Sequence, residues 1–511
     1  MEKFNNQKRY THRFLARIII EATTPLSIGS GEKDIICDHL VARDSNGLPY
    51  IPGTAIAGIV RHSIEAIDKV KAEMFFGCNM TAEEKERQSK GKSGGKKGLK
   101  ESTGEGSQII FSSAHLVINK ERNEVVEGLL LNPFEDTYLK NFEILPIRQH
   151  VRINEQGSAV KKAKFDEEVV FKGTRFCFEI EMLSENEKNG IFSDVLSLLA
   201  SDTLCIGSGT RSGHGEFKVE QCLVAVLDLT DVDHRKAYIE KDAALKYSIK
   251  DDFSSGVVPF WKNTQYVIDI TKNLQNENDG WTTYTLVLKP EDFFLFGSGF
   301  GNDIADMTPV TEVVVDWSDA PSAPAIKDNY ILIPGSSVKG AISHRVAYHY
   351  NKLKKWYAGD KNAKPAEEND AVKALFGYAI NDKLVKRGNV IISDFLKNAL
   401  TNDKKKLLNH VAIDRFTGGA IDGALFSEEV VYDIDESYVL TMKVQITDQI
   451  NNEMIIAFEN ALRNIATGML PLGGGTNRGH GCFRGKVFKN SQELDLTLIE
   501  TMEEQTNEQS N

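Results

Sequence analysis

Apolar and polar positions alternate along this chain at two periods. RFLARIIIEA (13–22), SQIIFSSAHLVI (107–118), TRFCFEIEML (174–183) and GEFKVEQCLVAVLDL (215–229) are β-branched or alternate every second residue, which predicts strands. PGTAIAGIVRHSIEAIDKV (52–70) and NGIFSDVLSLLAS (189–201) place apolar residues at helical spacing, the first opening on a Pro-Gly turn of the kind that starts a helix. The order is strand, helix, strand, then strand, helix, strand. It predicts an α+β, ferredoxin-like unit with two helices on one face of an antiparallel sheet.

The same phrases return later in the same order. IPGTAIAGIVRHS (51–63) is answered by IPGSSVKGAISHR (333–345), LSIGSG (26–31) by LFGSGFG (295–301), and MFFGC (74–78) by ALFGY (374–378), each of the last pair leading into a short apolar strand. HVRINEQGSAVKKAKFDEEVVF (150–171) is answered by HVAIDRFTGGAIDGALFSEEVVY (410–432), and LCIGSGTRSGHGEF (204–217) by LPLGGGTNRGHGCF (470–483). Colinear matches of this kind mean a tandem duplication. The expected units are a first domain over 1–240 with an insertion at about 79–105, a charged linker over 241–263, a second domain over 264–490, and a tail over 491–511.

Composition narrows the class. With 511 residues, 41% hydrophobic and 26% charged, the chain reads as a multidomain globular protein. No apolar run is long enough to span a bilayer and the N-terminus has no secretory pattern, so a cytoplasmic location without membrane contact is expected. The six cysteines form no C-x-x-C pair, which argues against a disulfide framework or a zinc ribbon. The net charge of −12 disfavours polyanion binding over the whole surface, yet Lys85 to Lys100 and Arg148 to Lys164 are basic and the tail is acidic. Local patches therefore decide.

Several of the repeated phrases suit RNA. The two Pro-Gly turns set backbone N–H groups of Gly53 and Thr54, and of Gly335, Ser336 and Ser337, at helix N-termini, where anions are favoured. Lys339 adds charge in the second copy, where the first has Ala57; Arg61, His62, His344 and Arg345 lie on the helices that follow. In the glycine-rich loops, Arg211, His214, Arg478 and His480 stand between glycines that let backbone approach a phosphate. Tight packing beside a core strand would also explain such glycines. The spacing is not the dinucleotide fingerprint, and no P-loop, H-E-x-x-H, G-x-S-x-G or G-G-D-D sequence is present.

Together the P-G-[ST]-x-[IV]-x-G turns, the L-F-G strands, IDRFTGGA (413–420) and the terminal glycine loops resemble the RAMP superfamily of CRISPR-associated proteins, most closely the backbone subunits of type III effector complexes, here in a fused, III-D-like form. The resemblance implies two tandem RRM-like domains with β-hairpin thumbs, bound to CRISPR guide RNA, complementary target RNA and other type III subunits. Thumb residues implied to contact RNA are Arg415 and Thr417 in the second copy; the first lacks the Asp-Arg pair, and there Arg148 and Arg152, with Lys161 and Lys162, supply charge for RNA contact. It also implies catalytic loop aspartates: Asp38 first, then Asp306, then Asp303. Asp38 and Asp306 would hold a divalent metal, Mg²⁺ or Mn²⁺, that activates the RNA 2′-hydroxyl and leaves a 2′,3′-cyclic phosphate. Two alternatives stay open: an RNA-binding subunit without catalysis, and a metal-independent guide-processing ribonuclease working through histidines.

Overall fold

The computed structural model describes residues 10–35, 37–77, 106–119, 124–126, 128–154, 156–241, 259–274, 280–318, 324–380, 384–397, 404–432 and 435–497. The basic insertion at 79–105, most of the linker and the tail beyond 497 lie outside these residues.

Each half builds an antiparallel sheet around its first long strand. In the first, His12–Ala22 pairs on one side with Arg175–Ser184 and on the other with Phe217–Asp228; His115–Asn119 lies outside Arg175–Ser184. In the second, Trp281–Pro290 lies between Tyr438–Gln445 and Phe483–Lys489, with Val390–Ile392 outside Tyr438–Gln445. Both sheets therefore follow the same strand order, and each is covered by two helices. Ile56, Val60 and Ile64 of the helix Gly53–Ile67 and Val195 and Leu199 of Gly190–Ala200 enter the first core. Val338, Ile342 and Val346 of Gly335–Leu353 and Phe458, Leu462 and Ile465 of Asn452–Ala466 enter the second. The mixed α+β architecture expected from periodicity is present because every buried stripe has a sheet face to cover.

Two features depart from the sequence reading. Residues 260–274 do not begin the second unit: Trp261 and Val267 are buried with Leu15, Leu223 and Leu227, and Val267–Asp269 pairs with Phe217–Asp228. Burial of these apolar groups on the open face of the first sheet holds the stretch there. The second departure is a hairpin, Thr311–Asp316 with Ala325–Ile333, inserted before the second Pro-Gly turn. Its Val315 and Trp317 reach into the first core, Trp317 Nε1 donates to Gly173 O at 2.7 Å, and Arg175 lies over the Trp317 ring. The two halves thus share packing. The cysteines among the described residues are unbridged, and no described helix is long and apolar enough to cross a membrane.

Candidate RNA interface and catalytic loops

From each half projects a β-hairpin: Ile147–Ile153 with Ala159–Glu168, and Lys405–Ile413 with Ala420–Val431. Two loops meet the base of each hairpin. One follows the first strand of the sheet and carries the candidate aspartates; the other is the glycine-rich loop before the last strand.

The aspartate loops are built alike. Leu26 bridges Val170 as Phe294 bridges Val431; Gly29 bridges Val41 as Gly297 bridges Pro309; His39 bridges Glu167 as Met307 bridges Glu428. His39 N–H donates to Asp166 O and Glu168 N–H to His39 O, while Met307 N–H donates to Ser427 O and Glu429 N–H to Met307 O. This ladder makes Asp38 and Asp306 equivalent. Asp38 Oδ2 accepts the Asp166 N–H at 3.2 Å, and Asp306 Oδ2 accepts the Ser427 N–H at 2.7 Å and its hydroxyl at 3.1 Å. Both side chains are exposed, behind the buried residues Cys37 and Ala305. The Ser427 N–H and hydroxyl hold the Asp306 carboxyl below its ordinary pKa. Asp303 is exposed too, but bonds to no hairpin residue among the described residues.

Each aspartate offers a cation a single carboxylate, and neither belongs to a cluster of three ligating side chains among the described residues. Among the described residues, each keeps Oδ1 clear of the protein bonds that hold Oδ2. Mg²⁺ is commonly held by one or two carboxylates, with waters and substrate phosphate completing its shell. Asp44, by contrast, is a turn residue: burial alone would raise its pKa, but His115 and the N–H groups of Leu48 and Asn46 hold the carboxyl down.

The glycine loops correct the expectation drawn from the sequence. A Cβ at Gly215 would stand 2.4 Å from Ile206 O and one at Gly481 2.0 Å from Leu472 O, both at positive φ, so the fold itself requires these glycines. His214 and His480 are buried and face protein carboxylates rather than solvent: His214 Nδ1 lies 3.3 Å from Glu167 Oε1, and His480 Nδ1 lies 3.7 Å from Glu428 Oε1. Arg478 Nη2 donates to Glu428 Oε2 at 2.7 Å and lies over Phe426. The matching Thr, Gly and His positions make Arg478 the counterpart of Ser212, and Arg211 that of Asn477. Arg211 Nε donates to Gly388 O in the other half.

His150, Glu167 and His214 converge closely enough to suggest a metal site. Arg148 excludes that reading. Its Nη1 lies 2.6 Å from His214 Nε2, and a guanidinium only donates, so that nitrogen must be the acceptor. The ring proton of neutral His214 is then on Nδ1, facing Glu167, where a metal would need a lone pair. Glu167 stays ionised: burial opposes this, but the His150 bond holds its pKa down, to about 2.

Arg148 is also corrected from RNA contact to a structural place. It is buried at the seam between the halves, with Nε donating to Glu312 Oε1 and Nη1 to Asp394 Oδ2, both at 2.5 Å. Asp394 Oδ1 in turn accepts the Gly335 N–H at 2.7 Å, so the anion seat at the second Pro-Gly turn is filled by the protein's own carboxylate. Gly213 packs over the same spot, where a Cβ would meet Asp394 Oδ1 at 1.8 Å. In the first half Ser113 stands in place of Asp394, its hydroxyl 3.4 Å from Gly53 N, with Thr54 exposed beside it.

The remaining predicted contacts divide by exposure. Ser336 is half-buried and Ser337 exposed on the first turn of their helix. Lys339 reaches Ser212 Oγ at 3.4 Å and His344 Nε2 lies 3.3 Å from Ile153 O, so both sit against the first half. Arg345 donates to Asn464 and Met469, and Arg152 pairs with Glu367. Arg61 is half-buried, and exposed His62 bonds Gly58 O through Nδ1. Arg415, Phe416 and Thr417 are exposed at the tip of the second hairpin, where the Asp414 carboxylate accepts the Phe416 and Thr417 N–H groups.

Sequence reading missed Glu167, Glu428, Asp394 and Glu312. The first two had a signal, the Glu-Glu-Val-Val repeated in both hairpins.

Neutral His214 sets a pH dependence. Burial, then Arg148, pushes its pKa down to about 4, and burial does the same to His349 in the second half. Unfolded histidine titrates near pH 6.5, so the unfolded chain binds more protons between these values. Stability from this source is present above about pH 6.5 and is lost as pH falls toward 4. Thermal melts are expected to drop between pH 7.5 and 5, with a shallower slope in His214→Gln.

A family model described as the RAMP superfamily matches residues 19–218 and 320–484, well over half of the chain. No curated protein matches it.

Proposed function

Starting from the fact that the chain belongs to the RAMP superfamily, and so to the CRISPR-associated RNA-binding proteins, we propose that it is a fused double backbone subunit of a type III, III-D-like effector complex. In this reading each half is a ferredoxin-like RAMP module that holds guide RNA, and complementary target RNA is cut beside Asp38 and Asp306. The matched strand order of the two sheets supports the tandem reading. The observation that carries catalysis is the equivalence of the two aspartates, each exposed and bonded to the same station on its own hairpin.

The hairpins would displace a target nucleotide, and the loops would present one carboxylate beside the phosphate thus exposed. A bound divalent cation supplies Lewis-acid stabilisation of phosphorane charge and a more acidic 2′-hydroxyl. The Asp166 and Ser427 N–H groups orient the two carboxylates, and Ser427 holds that of Asp306 below its ordinary pKa. Burial of His214 and His480 behind Glu167 and Glu428 removes these two histidines from any guide-processing role.

The test incubates the guide-loaded complex with complementary RNA in Mg²⁺ or EDTA. Two cuts in Mg²⁺ and none in EDTA are expected. Uncut RNA under both conditions would leave a non-catalytic RNA-binding subunit, and precursor cleavage surviving EDTA would favour processing.

The tip of the second hairpin gives a separate prediction. If Arg415 touches phosphate, Arg415→Ala weakens RNA binding uniformly across sequences and lowers the salt slope by about one. Filter binding at several salt concentrations reads this, and an unchanged slope removes Arg415 from the interface.

A further inference from the structure

We propose that Glu167 and Glu428 are positioning residues, each coupling its hairpin and glycine loop to the aspartate beside the scissile phosphate; this rests on the reading of Asp38 and Asp306 given above. Glu428 is fully buried. Its Oε1 accepts from His410 Nε2 on the first hairpin strand at 2.8 Å, and its Oε2 from Arg478 on the glycine loop at 2.7 Å. Its backbone neighbours hold the aspartate loop from both sides: Ser427 bonds Asp306, and the Glu429 N–H donates to Met307 O. The first hairpin strand and the glycine loop thus converge on the Glu428 side chain, and the aspartate loop is bonded to the residues on either side of it.

The first half repeats the arrangement. Glu167 lies 2.9 Å from His150 Nε2 on its hairpin and 3.4 Å from Ser208 Oγ on its glycine loop. Asp166 bonds Asp38 and the Glu168 N–H donates to His39 O. His150 stacks on Phe165 and His410 on Phe426, both with centroids 4.8 Å apart. A buried carboxylate is costly unless fully partnered, and an apolar residue could fill the same volume without that cost. Its presence at the same station twice is explained by what it joins. When RNA moves a hairpin, the carboxylate carries the glycine loop with it and the bonds of the two neighbouring residues carry the aspartate loop, so the aspartate stays in register with the displaced nucleotide.

The experiment uses the full chain in its guide-loaded complex. Glu428→Ala is expected to slow the cut assigned to Asp306 by about 100-fold, the scale of a misplacement near 1 Å, with half-saturating target RNA changed less than about twofold. The Asp38 cut should keep its rate, and Glu428→Gln, whose amide oxygen still accepts from Arg478 while its nitrogen can only donate toward His410, should recover part of the loss. Glu167→Ala should reverse the pattern. Hydrogen exchange supplies a readout independent of cleavage: Glu428→Ala should raise exchange at 304–308 and leave 37–41 unchanged. If the unaltered complex cuts nothing, the catalytic reading fails while exchange still decides the coupling. Unchanged exchange at 304–308 overturns the proposal, as does equal slowing of both cuts.

Discussion

Asp38→Ala is expected to remove one of the two cuts in target RNA and Asp306→Ala the other, with guide and target still bound. Each loss should reach about 1000-fold, because charge stabilisation by a metal is worth several kcal/mol and each 1.4 kcal/mol is a factor of ten. The cuts should be independent, since each aspartate is bonded to a different hairpin. Asp306→Asn sharpens the test: its amide oxygen can still accept the Ser427 N–H and hydroxyl, so the loop keeps its place while the charge disappears. Loss of the cut in this variant assigns the effect to charge. Asp303→Ala should cut at the normal rate, as that residue makes no bond to the hairpin among the described residues. End-labelled RNA on a sequencing gel reads each cut separately. Retention of both cuts in the double variant would remove catalysis from these loops.

Arg148→Ala is expected to destabilise the fold by about 3–5 kcal/mol, the usual cost of breaking a buried ion pair from one side. Arg148, Glu312 and Asp394 are all buried, and removal of the guanidinium strands two carboxylates. Burial already raises the Glu312 pKa, against the lowering effect of Arg148. Without Arg148 a carboxyl here rises further, and a raised folded pKa means stability present at low pH and lost as pH climbs through it. The variant's deficit should therefore be largest near pH 8 and shrink on acidification. The duplication supplies the compensating change. Leu408 occupies the Arg148 position of the second hairpin, opposite Glu428 as Arg148 is opposite Glu167, and Ser113 occupies the Asp394 position. Arg148→Leu with Asp394→Ser should recover much of the melting temperature, because no buried charge on Asp394 remains to be matched. A double variant no more stable than Arg148→Leu would show that the cost lies in Glu312 instead.

Much of the fold was legible because its signals are local. Period-two runs such as 13–22 became strands, apolar stripes such as Ile56, Val60 and Ile64 became helix faces, and repeated phrases exposed the duplication. The candidate site was legible only in part. The loop aspartates were implied by the family resemblance, yet which of Asp303 and Asp306 matches Asp38 depended on which one meets Ser427, more than a hundred residues away. The glycine loops misled because their glycines answer to close backbone carbonyls, of Ile206 and Leu472 in the loops themselves and of Ser27 and Leu295 in the aspartate loops, and their histidines to glutamates on the hairpins.

By itself, the sequence determined two related α+β units, their element order and their recurring loops, because hydrophobic period and turn chemistry are set by residues close together in the chain. Tertiary structure alone decided that Arg148 serves the seam, that His214 is a buried neutral acceptor, and that Asp306 stands where Asp38 stands. Those outcomes depend on desolvation and on pairing between distant groups, and neither is encoded in the spacing of neighbouring residues.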